Sequence, residues 1–267
     1  MTTWAAGTLA PNPGAAPRSR MLATQTRAEL TMLLSNGEQL LLTLVIPVGL
    51  LLVLTKVNFI AVPGGRDRVG FFVPGVMALA LMSTAFTGQA IALGFERQYG
   101  VLKRLGATPL PRSVLLLAKT LSVLAVELVQ LAVIAGVGRA LGWHPHGSPV
   151  GVVLLVALGT AAFSGLGLLL GGTLRGLTTL AAANLLWFLL LVLGGVLFPL
   201  SELGSAEGVL QLLPTAALSH GLRDVLQHGA RVPVRDVLAL LGWAVAALSA
   251  ATRLFRWEGC AWHCRSS

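Results

Sequence analysis

The sequence is poor in charge. Of 267 residues only 11% are Asp, Glu, Lys or Arg, against about 25% in an average soluble domain. That shortfall excludes an ordinary water-soluble enzyme, and it equally excludes a disordered chain, which needs high charge and few apolar residues. Cysteine is almost absent: Cys260 and Cys264 both lie in the last eight residues and cannot staple a secreted fold. With His263 they offer three crowded ligands where a structural zinc takes four, so no metal is expected there. Lysine occurs three times, at Lys56, Lys103 and Lys119, and none follows a glycine. The phosphate-cradling pattern G-x-x-x-x-G-K-[ST] is therefore missing, and energy for any work must enter from a partner or from an ion gradient. The net charge of +9 does not point to nucleic acid, because the basic residues punctuate apolar runs instead of forming a stripe with aromatics.

What is present is 55% hydrophobic residues and 31 glycines. Apolar runs predict an all-α integral membrane protein with six spans, at about 39–57, 71–95, 113–141, 150–173, 177–198 and 236–255. Each approaches or exceeds the ~20 residues that cross ~30 Å of hydrocarbon. Pro47 lies inside the first and removes one backbone donor there. For this arrangement twelve of the 19 Lys and Arg residues fall on one side and seven on the other, which places both termini in the cytoplasm of a multi-pass cytoplasmic-membrane protein.

The regions around the spans divide as follows. Residues 1–20, rich in Ala, Pro, Gly and Thr, read as a flexible cytosolic tail, and residues 257–267 as a second one. Residues 21–37 read as an interfacial helix: Leu22, Leu30, Leu33 and Leu34 share a side, and Gln25, Arg27 and Glu29 the other. Residues 38–256 form the transmembrane domain. Within the outer loop after the fifth span, Leu210 to Leu218 is apolar but too short to cross, and Gly221 to His228 turns amphipathic, so a short re-entrant helix pair is expected. No internal repeat supports an inverted-repeat transporter. Glycines in the fourth span, including the G-x-x-x-G of Gly167 and Gly171, predict close helix approach, within the chain in preference to between chains.

The inner segment between the second and third spans reads Phe95-Glu96-Arg97-Gln98-Tyr99-Gly100-Val101-Leu102-Lys103-Arg104-Leu105-Gly106-Ala107-Thr108-Pro109-Leu110-Pro111-Arg112. On physical grounds it is either a short amphipathic element that docks on a soluble partner or a solvated positive-inside loop. Its pattern resembles the signature of ABC-2 type transporter membrane subunits, carried by Glu96, Gly100, Leu102, Leu105, Thr108, Pro109, Leu110 and Arg112. The likeness extends to Pro47, Phe198-Pro199, Leu213-Pro214-Thr215 and Leu222-Arg223, and within the family it is most similar to the daunorubicin-resistance exporter branch. Val101 and Lys103 depart from it, standing where the family often has Thr or Ser and Glu.

The resemblance implies a half-size permease that forms a homodimer and pairs with two copies of a separate ABC ATPase. That ATPase would hold ATP and Mg, with no cofactor on this chain. It also implies that Glu96, Gly100, Leu102, Lys103, Arg104, Leu105, Thr108 and Pro109 form the ATPase-coupling segment. The cargo it suggests is amphipathic, drug-like or lipid-like. Polar residues within the spans, namely Gln89, Glu127, Gln130, Asn184 and Trp187, are candidates for the substrate path or for interhelical bonding. Catalysis in the membrane is not expected: Ser164 lacks the G-x-S-x-G frame, no span holds a histidine, and the acids are scattered singly. Two rival classes remain, a gradient-driven transporter using Glu127 and a membrane assembly factor.

Overall fold

The structure is a computed structural model that describes residues 15–57, 68–196, 207–229 and 232–255. The outermost tail residues, the Cys-containing C-terminus, Phe198-Pro199 and the expected first outer connector lie outside the described residues. Among the described residues the chain is helical, with no strand. The helices in chain order are α1 (Arg18–Ser35), α2 (Gly37–Lys56), α3 (Arg68–Leu81), α4 (Gln89–Gln98), α5 (Val101–Gly106), α6 (Arg112–Ala140), α7 (Pro149–Thr173), α8 (Gly176–Leu193), α9 (Glu207–Leu210), α10 (Pro214–His228) and α11 (Val234–Leu254). A π-helical segment, Met82–Gly88, joins α3 to α4.

Five helical units are long and apolar enough to cross a membrane: Arg68–Gln98 as one run through the π segment, then α6, α7, α8 and α11. The bent pair α1 and α2 supplies up to a sixth. The five lie on the second to sixth predicted runs, and α2 lies on the first. Helix starts follow local chemistry, with Pro149 and Pro214 at first positions where a missing N–H costs nothing.

At the centre, α7 packs against α11, α4, α10 and the π segment. Its glycines make this possible. A Cβ at Gly167 would lie 2.6 Å from the Phe86 carbonyl oxygen, and one at Gly171 2.6 Å from that of Ala90. The G-x-x-x-G is thus used within the chain, as its sequence suggested, and lets two backbones touch where no side chain fits.

Several basic residues are helix caps as well as topology signals. Arg97 donates to the carbonyls of Gly172 and Leu174 at the end of α7, and Arg68 to those of Leu54 and Val57 at the end of α2. Arg223 donates to Gly195 and Val196 just past α8 and lies 4.3 Å over the Phe71 ring. In the first two cases a cation meets the carbonyls and negative dipole end of a helix, and in the third those of the turn that follows one. Arg223 thereby staples α10, the longer half of the expected re-entrant pair, onto the bundle.

The same helix is tied to α11 by His220, whose Nδ1 is 3.0 Å from Oδ2 of buried Asp236 and 3.5 Å from Asp224. The hydrogen bond to Asp236 raises the His220 pKa above its ordinary value, against the opposing effect of burial. A raised pKa gives a contribution present in full below about pH 6.5 and lost as pH rises through the raised value. Accordingly, His220→Gln is expected to lower the melting temperature most in mildly acidic buffer. The gap to native protein should close on going alkaline, as read by thermal unfolding across pH; a gap that widens with pH would contradict the bridge.

A polar-walled cavity over a buried charge cluster

Pro47 is the place to begin. A proline at this position has no N–H for the carbonyl four residues back, so Thr43 loses its intrahelical partner. The side chain of Gln130, on α6 and buried, donates to that carbonyl at 2.7 Å. Its other amide atom accepts from Thr84 Oγ1 of the π segment at 3.2 Å. One side chain thus repairs the proline defect and ties three helices together. Next to it, Ser83 Oγ accepts from Trp187 Nε1 of α8 at 2.9 Å. The π segment matters here because its wider turn shifts the register between α3 and α4 and brings Ser83, Thr84 and Thr87 to the same wall.

These contacts line a half-open cavity of about 530 Å³. One wall is apolar, formed by Met32 and Leu33 of α1 with Leu42, Ile46 and Pro47 of α2; the other carries the hydroxyls and amides. Of the five span residues singled out in the sequence, Gln89, Gln130, Asn184 and Trp187 all line it. Glu127 does not. It is fully buried and accepts a hydrogen bond from Thr160 Oγ1 of α7, away from the cavity.

The cavity ends at a charge cluster that the sequence did not disclose. Lys119 Nζ lies 2.8 Å from Glu29 Oε2 and 2.8 Å from Glu96 Oε1, with the lysine side chain 6% exposed. Gln25 of α1 donates to the other Glu29 oxygen. Three helices, α1, α4 and α6, therefore meet on one cation. The acids are not all scattered singly: Glu29 and Glu96 share a site although 67 residues apart in sequence. On α1, Gln25 and Glu29 turn into the protein together with half-buried Leu22, Leu30 and Leu33, whereas Arg27, Met32 and Leu34 are exposed. Lys119 is itself buried. The signal available in the sequence was a lysine inside an apolar run, which is expensive unless paired.

Below the cluster, the expected coupling segment divides into two parts. Glu96 belongs to the end of α4 and is engaged with Lys119, so it is not a surface contact. Gly100 turns the chain with φ +73°, a left-handed conformation that a side chain would oppose, and α5 follows. Leu102 points inward, fully buried among Leu93, Leu115, Leu116 and Phe255. Leu105 is half-buried beside it, and Val101, Lys103, Arg104, Thr108 and Pro109 are exposed. Leu102 therefore anchors α5 to the bundle, and the exposed face of α5 carries Lys103 and Arg104.

A bundle of long apolar helices around a polar-walled cavity defines a polytopic membrane protein. The chain belongs to the ABC-2 type transporter family, whose profile matches residues 22–226. It is similar to a protein described as putative transport permease YvfS from Bacillus subtilis (strain 168), at 23% identity over 84% of this chain and 92% of that protein. The match begins within α1 and ends within α10, so it takes in both the cavity and the α5 loop.

Proposed function

We propose that this chain is the translocating permease of an ATP-driven exporter. It would move an amphipathic, drug-like or lipid-like compound out across the cytoplasmic membrane, with both termini inside. The observation that carries this reading is α5: a six-residue helix between two spans, locked to the bundle by Leu102 and presenting Lys103 and Arg104 outward. A short element of that build transmits motion as a rigid body and offers a charged face to a soluble subunit. The subunit would be a separate ABC ATPase holding ATP and Mg. Two ATPase copies and a second permease copy would complete the complex, the cavity facing inward or outward as the ATPases open and close. The exposed apolar faces of α2 and α8, such as Leu41, Val45, Leu185 and Phe188, supply surface for lipid and for that second copy. Glu127 lies off the cavity, so nothing favours a gradient-driven alternative built on it.

The test is co-purification from membranes with the ABC ATPase encoded nearest to this chain. Lys103→Glu with Arg104→Glu is expected to weaken the association about tenfold or more, the scale of losing a residue worth over 1 kcal/mol at an interface. Both residues are exposed, so monodisperse elution should stay native. Retained association and retained ATPase stimulation in the double variant would refute α5 as the contact.

A further inference from the structure

Three side chains able to ligate a metal converge at the end of the bundle away from α5. Asp236 stands in the first turn of α11, whereas Phe255, just past the last turn of that helix, packs with Leu102 of α5. The helix between them is about 27 Å long at ~1.5 Å per residue. His220 and Asp224 lie one turn apart on α10 and so share a side of it. Gly221 lets α11 come close to them: a Cβ there would meet the Asp236 Cβ at 3.2 Å. His220 Nδ1 is 3.0 Å from Asp236 Oδ2 and 3.5 Å from Asp224 Oδ2, and one ligand atom from each of the three lies within 4.8 Å of the others. Tetrahedral zinc, with bonds of about 2.0–2.1 Å, sets its ligand atoms about 3.3–3.4 Å apart. The two edges at His220 fall on either side of that value, and the Asp224 side chain, 31% exposed, has room to turn and close the third.

Charge and burial favour an ion here. With a neutral imidazole the set carries two negative charges, which one divalent cation balances. Asp236 is the deep ligand, its side chain 7% exposed, and a carboxylate so desolvated is costly unless a cation meets it. The arginines adjacent in sequence are directed to other groups: Arg223 donates to Gly195 and Val196, and Arg235 to Gln211. His220 is half-exposed, so an ion reaches the set from water. One imidazole nitrogen with two carboxylate oxygens suits zinc, whereas magnesium and calcium take oxygen ligands.

We propose that His220, Asp224 and Asp236 form a zinc site that clamps α10 to the first turn of α11, with water completing the coordination. The imidazole ligates through Nδ1 and keeps its proton on Nε2. The Nδ1 proton, shared with Asp236 when no ion is bound, passes to solvent. The site is independent of the permease reading, because it shares no residue with the cavity and lies far from α5.

The test uses the full chain carrying Cys260→Ser and Cys264→Ser, so that the tail thiols supply no ligand, in detergent and without a histidine tag. After treatment with a chelator, zinc binding is titrated by calorimetry, and thermal unfolding is followed with added zinc or magnesium. This parent protein is expected to bind one zinc and to melt at a higher temperature as zinc increases, since an ion that binds the folded state stabilises it by mass action. Magnesium is expected to leave the melting temperature unchanged. Asp224→Asn should weaken zinc about tenfold or more, a loss reached even by removing groups that only orient a ligand. His220→Gln should abolish the zinc-dependent rise. A parent protein that melts at the same temperature with and without zinc overturns the proposal, and that measurement needs no variant that could fail to fold. An equal response to magnesium also overturns it, as does unchanged zinc affinity in Asp224→Asn and His220→Gln, which would place the ion elsewhere.

Discussion

Lys119→Met is expected to destabilise the protein by about 3–5 kcal/mol, the cost of removing one partner from a buried ionic group. The lysine is the only cation on Glu29 and Glu96 among the described contacts, at 2.8 Å from each. Without it two carboxylates face one another at the junction of α1, α4 and α6. The expected readouts are a markedly lower melting temperature in detergent and reduced accumulation in membranes. A triple variant, Lys119→Met with Glu29→Gln and Glu96→Gln, removes all three charges together. It is expected to recover most of the loss, because replacing a whole buried ionic cluster by neutral groups is often nearly neutral. If Lys119→Met melts with the native protein, the cluster contributes nothing and the junction is held by apolar contacts alone.

Gly171→Leu should cost about 3 kcal/mol, at the upper end of the range for overpacking. The Cβ would stand 2.6 Å from the Ala90 carbonyl oxygen and 3.0 Å from the Leu93 Cβ. The first of these is backbone, so no rotamer change relieves the contact, and α7 would have to separate from α4. Gly136 in α6 is the control. A Cβ there meets nothing within 4 Å, and Gly136→Leu is expected to stay within about 0.5 kcal/mol of native. Comparable losses at both positions would mean that glycine is needed for helix flexibility and not for the approach of α7 to α4.

The two variants separate kinds of information that the sequence carries unequally. Span number and position are legible because they depend on a running sum of apolar residues, a local property. The cues at helix starts and turns, Pro149, Pro214 and Gly100, are equally local, and so is the α5 pattern that carries the family resemblance. The candidate path residues Gln89, Gln130, Asn184 and Trp187 stood out because a polar group in an apolar run needs a reason. Composition alone could not say that the reason is one shared cavity, nor that Glu127 belongs elsewhere, against Thr160.

The sequence by itself determined a multi-span helical membrane protein without a phosphate-binding loop, with a short basic element after its second span. Only the tertiary structure decided that Glu29, Glu96 and Lys119 form one site, that Gln130 repairs the backbone at Pro47, that the second span passes through a π segment, and that Leu102 faces inward. The physical reason is range. Hydropathy and turn chemistry act between neighbours in the chain, whereas ion pairs and helix faces are settled by which spans meet across tens of residues, and in an apolar solvent every wheel position is equally ready to face lipid or protein.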